Sequence, residues 1–127
     1  MQSIARMAFK LSMLFMVSML GTLPAFADDG SKGPRAGTYL IMSYGAAGRP
    51  PLHLGYFVID RNSYKVYLPG DKLSGSGKWQ FDPAKKEVIW KSGPYAGVWE
   101  GGFESERGGK THNIRMKRGT FGTNSID

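Results

Sequence analysis

The chain has 127 residues, with 17 Lys and Arg against 10 Asp and Glu, a net charge of +7, and no Cys. Without Cys there can be no disulfide, no thiolate-bound metal and no lipidated cysteine, so packing and backbone pairing alone must stabilise the fold. The length suits one hydrophobic core rather than two.

Residues 1 to 27 have the pattern of a secretory signal peptide. Arg6 and Lys10 form a positive n-region, Leu11 to Leu20 an apolar h-region, and Ala25-Phe26-Ala27 an A-x-A cleavage site. Gly21 and Pro24 interrupt the apolar run before it reaches the roughly 20 residues a membrane span requires. Cleavage after Ala27 is therefore expected, giving a secreted or periplasmic protein with no transmembrane anchor. It removes Arg6 and Lys10 and takes the basic count from 17 to 15 against 10 acidic residues.

Residues 28 to 36 are polar, carry Gly and Pro, and read as a flexible leader. From Gly37 onward no helical periodicity of useful length appears, and short β-like runs alternate with turn signals. Thr38 to Tyr44 is the first predicted strand, followed by a Gly- and Pro-bearing connection from Gly45 to Pro51. Leu52 to Asp60 alternates with apolar residues on both faces, and Asp60-Arg61-Asn62-Ser63 turns into Tyr64 to Leu68. Pro69-Gly70 stops that strand.

Gly75-Ser76-Gly77 introduces Lys78 to Phe81, with Trp79 and Phe81 on one face. After Asp82 to Lys86 comes Glu87 to Lys91, with Val88 and Trp90 facing the core. Ser92-Gly93-Pro94 breaks the chain before Val98 to Ser105, in which Gly101-Gly102 suggests a bulge or barrel corner. Arg107-Gly108-Gly109 turns into Thr111 to Lys117, with Ile114 and Met116 inward. About seven short strands at this spacing predict an all-β domain over residues 37 to 118, a small antiparallel barrel or sandwich. Gly119 to Asp127 reads as a polar tail, either disordered or looped over a barrel opening.

Motifs that would assign chemistry are missing. His53 and His112 stand far apart, with no second ligand at metal spacing. There is no G-x-S-x-G nucleophile and no G-x-x-x-x-G-K-[ST] phosphate loop, and Glu100, Glu104 and Asp60 form no distinctive carboxylate pair. Neither a cofactor nor a metal is expected, and the chain reads as a binding protein rather than an enzyme.

Two features point to partners. Trp79, Trp90 and Trp99 are expected to fill the core, whereas Tyr67, opposite Val66, and Tyr95, after the Ser92-Gly93-Pro94 turn, are expected to be exposed and to bind a ligand or partner. Arg107, Lys110, Arg115, Lys117 and Arg118 crowd the C-terminal stretch as a candidate anion site. The principal expectation is an exported barrel that binds a small apolar ligand, an envelope component or a protein. The alternative is an accessory protein that associates with an anionic surface or polymer through the basic cluster, with no specific nucleic acid implied.

Gly37-Thr38-Tyr39 is similar to the Gly-x-Trp that opens a lipocalin. The likeness covers three residues, so the calycin architecture enters only as an analogy of fold and implies no ligand.

Overall fold

A computed structural model describes residues 30–45 and 47–126; the signal-peptide pattern lies outside them. The strands are β1 (Gly37–Ser43), β2 (Leu52–Asp60), β3 (Ser63–Leu68), β4 (Lys72–Asp82), β5 (Glu87–Trp90), β6 (Gly102–Glu106), β7 (Thr111–Lys117) and β8 (Thr120–Ser125). A single turn of 3-10 helix, Arg107–Gly109, joins β6 to β7. Each strand pairs antiparallel with its sequence neighbour, and β8 returns to β1 through pairs running from Leu40–Thr123 to Ser43–Thr120, which closes the barrel.

The alternation predicted for β3 to β7 sets much of the interior, and Phe57 and Ile59 mark the inner face of β2, whose two faces are both apolar in sequence. Tyr39, Ile41, Phe57, Ile59, Tyr64, Val66, Trp79, Val88, Trp90, Phe103, Ile114 and Met116 are buried, while Lys65, Lys78, Gln80 and Glu104 stand outside. Aromatic rings dominate this core. Tyr39 stacks on Phe57 with centroids 5.3 Å apart, and Trp90 and Tyr95 each present an edge to Phe57 at 5.6 Å. Such rings bury large area and gain from their mutual geometry, which suits a small barrel that has no cross-links. The indole N–H of Trp90 is satisfied by the Glu100 carbonyl at 2.9 Å.

Three departures from the sequence expectation have identifiable causes. The barrel has eight strands, because the segment read as a tail forms β8. Its polar composition hides an alternation in which Thr120 and Gly122 face inward, and a Cβ at Gly122 would come within 2.5 Å of the Phe57 ring. β4 begins at Lys72, since Gly75 and Gly77 lie inside the strand rather than before it, where Pro94 and the Ser92–Gly93 backbone leave no room for a side chain. β6 starts only at Gly102. Just before it, Gly101 lies against the Val88 carbonyl so closely that no Cβ fits, the close backbone approach that an interior Gly often marks.

The two ends of the barrel differ. At one end, the segment read as a leader docks across the opening, with Gly33 and Pro34 buried. Arg35 anchors it. Its backbone N–H donates to Nδ1 of the buried His112 at 3.1 Å, and its guanidinium donates to Asn124 Oδ1 at 2.6 Å and to the Gly109 carbonyl at 2.7 Å. The Tyr39 hydroxyl donates to the Arg35 carbonyl at 2.7 Å. This end is closed; the other carries the 44–51 connection, the 69–71 turn, the 91–101 segment and the 118–119 turn.

Candidate functional site

At the open end the barrel interior continues into a cavity of about 220 Å³ lined by Ile41, Leu54, Val66, Leu68, Ser74, Pro94, Tyr95, Trp99 and Met116. Ser74 and Tyr95 are the lining residues that carry a hydroxyl, and neither a carboxylate nor an imidazole residue lies in the lining. Hollows on the outer wall, such as one of about 350 Å³ bordered by Lys85, Lys86, Glu104 and Arg115 beside Phe103 and Phe121, mix charged and apolar residues.

Backbone irregularities build the cavity. The β1–β2 ladder skips Leu54, passing from Ile41–Gly55 to Met42–His53. The β3–β4 ladder skips Ser74, and the β7–β8 ladder skips Met116. A bulge gives one strand an extra residue and redirects its side chain. All three extra residues appear in the cavity lining.

The 91–101 segment supplies the rest. Ser92 holds it to the wall: its carbonyl accepts the Tyr64 hydroxyl at 2.6 Å, and its own hydroxyl accepts the Lys78 N–H at 3.0 Å. Pro94 packs over Gly75, and the chain then turns inward. Tyr95 is consequently only 4 % exposed, stacked on Tyr64 at 5.2 Å and edge-on to Trp90 at 5.0 Å. This corrects the expectation of an exposed Tyr95. The Ser92-Gly93-Pro94 turn packs against β4 rather than projecting into solvent, and it delivers the ring to the barrel interior. Tyr95 keeps its place as a candidate binding residue, now as part of a cavity wall.

The Tyr95 hydroxyl is buried and has no hydrogen-bond partner among the described residues. Burial pushes its ionisation far above the ordinary phenol value, with a smaller contribution from neighbouring Tyr64. Tyr64 is raised as well, burial outweighing the N–H it accepts from Tyr95. A buried hydroxyl without a partner is costly.

The other predicted residues scatter. Tyr67 points outward as expected but is half-buried, stacked on Tyr56 at 4.8 Å. The Tyr56 hydroxyl donates to Asp71 at 2.8 Å, and that bond raises its ionisation. The five basic residues do not form one patch. Arg107 and Lys110 lie at the closed end, Lys117 and Arg118 at the open end, and β7 separates the pairs by roughly 20 Å at a strand's rise per residue. Arg115, between them, pairs with Glu100 at 3.4 Å on the outer wall. Lys117 sits over the Trp99 ring, 5.1 Å from its centroid, at the edge of the cavity.

His53 is exposed near the start of β2, whereas His112 is buried at the closed end, so the barrel separates the two. Trp99, Leu54, Leu68, Ser74 and Met116 were not singled out from sequence as site residues. A partial signal existed in Leu68 before Pro69-Gly70 and Trp99 after Gly97, apolar residues beside turns where strands end. No protein-family model matches this chain, and no curated protein or solved structure is significantly similar to it.

Proposed function

We propose that the protein is an exported binding barrel, not an enzyme, that takes a small apolar ligand into its open end. The observation that carries this reading is the apolar cavity at the barrel mouth, lined by the bulge residues Leu54, Ser74 and Met116 together with Tyr95 and Trp99. Its volume of about 220 Å³ lies below the roughly 300–1,000 Å³ of drug-sized sites, which suits one ring or a short acyl segment. Export rests on the signal-peptide pattern of residues 1 to 27.

The test is a titration with an eight-carbon ester, followed by tryptophan fluorescence and native mass spectrometry. Binding that is lost in Leu54→Trp, which fills the cavity, and kept in Ile89→Trp on the outer wall is the expected result. Equal binding by both variants would overturn the assignment.

A further inference from the structure

The open end has a second property, separate from the cavity. Among the described residues the exposed large apolar side chains are Leu40 and Ile89 on the barrel wall and five others, Tyr44, Leu52, Leu68, Leu73 and Val98, around the open end. Leu52, Leu73 and Val98 are exposed by 62 %, 57 % and 68 %. They belong to different segments, β2, β4 and the 91–101 segment, so they stand around the mouth instead of lining one strand.

Charge at this end is predominantly basic. Arg49, Lys72, Lys117 and Arg118 are exposed there. Of the nearby acids, Glu100 is paired with Arg115, which leaves Asp71, acceptor of the Tyr56 hydroxyl, as one negative charge against these four. At the closed end Asp60, Asp82, Glu87 and Glu106 are mixed with Arg61, Lys85, Lys86 and Arg107.

We propose that the open end is a membrane-docking face that seats on bilayers containing anionic lipid. Apolar side chains interleaved with Lys and Arg are what an interfacial surface uses: the former enter the acyl boundary while the latter meet headgroup charge. Tyr44 at the rim and Trp99 at the cavity edge, with Lys117 over its ring, suit the aromatic preference of that boundary. A protein partner is the less favoured occupant, because the cores of protein interfaces are depleted in Lys, and here Lys72 and Lys117 stand among the apolar residues.

The experiment is co-sedimentation with phosphatidylcholine vesicles, with and without phosphatidylglycerol, at low and high salt. The protein keeps one native N-terminus, identical in every variant. Binding should require the anionic lipid and weaken with salt. Leu52→Ser combined with Leu73→Ser and Val98→Ser should reduce it about tenfold or more, and Lys72→Glu with Lys117→Glu should do the same. Lys85→Glu with Lys110→Glu at the closed end should leave it within about twofold, since those charges face away from the bilayer.

The altered side chains are exposed, so an unchanged thermal melt will show that each variant is folded. Trp99 fluorescence should be quenched by brominated lipid in the parent chain. No vesicle binding by the parent, equal losses at both ends, or binding untouched by the open-end variants would each overturn the proposal. So would a solution dimer that the three Ser substitutions dissociate, which would assign the rim to a second copy of the chain.

Discussion

Tyr95 shows how one side chain can be well packed and still unsatisfied. Its ring contacts Phe57, Tyr64, Trp90 and Trp99, yet its hydroxyl finds no partner among the described residues. Replacing it by Phe keeps the ring and removes the desolvated group, so Tyr95→Phe should stabilise the ligand-free protein by about 1 kcal/mol. A shift in denaturant midpoint at constant m-value would show it. The same residue sets an alkaline limit. In the unfolded chain the phenols of Tyr64 and Tyr95 ionise near 10.0, while both are raised in the fold. The folded state therefore retains protons that the unfolded state has lost. Stability is complete below about pH 10 and falls as pH rises above it, by up to about 1.4 kcal/mol per pH unit for each such group. Melting temperatures measured from pH 8 to 11.5 should fall over the upper part of that range, and less steeply in Tyr95→Phe.

At the scale of elements, β8 is the strand whose removal should be most damaging. It pairs with β1 and β7, and its Gly122 makes room for Phe57. A chain ending at Arg118 would retain every strand anticipated from sequence but expose two long unpaired edges, which templates aggregation. It should give no cooperative melt and should scatter light, and a soluble, cooperatively folding truncation would contradict the closed barrel. This boundary was hard to read because Thr120, Asn124 and Ser125 are polar on a strand whose inner face is occupied by small residues. The tryptophan strands were easier, since period-two alternation of Trp79 with Phe81 and of Val88 with Trp90 reports burial directly. The bulges were not legible at all. Nothing local marks Leu54, Ser74 or Met116 as an extra residue, because a bulge is defined by the partner strand.

The molecule as a whole compensates for its lack of disulfides with an aromatic core continuous from Tyr39 through Phe57 to Tyr64, Trp90 and Tyr95. Phe57 links Tyr39 to Trp90 and Tyr95 in it and is fully buried. Truncating it should cost about 3–5 kcal/mol, a large fraction of the roughly 5–15 kcal/mol by which a domain of this kind is stable. Phe57→Ala should therefore be mostly unfolded or melt tens of degrees lower, as circular dichroism would show. The closed end adds long-range ties, since Arg35 bonds residues 74, 77 and 89 positions away. Closing one end and leaving the other apolar makes the barrel directional, which is the basis of both the ligand and the membrane proposals.

Sequence alone determined the class of fold and the inward faces of most strands, because alternation and turn chemistry are local properties expressed before any strand finds its partner. It also carried the export pattern as an expectation. Only the tertiary structure decided that the barrel closes with an eighth strand, that Tyr95 turns inward, and that the basic residues of the C-terminal stretch divide between the two ends. Each of these depends on which strand lies beside which and how far one is shifted against the next. That information resides in contacts between residues far apart in the chain.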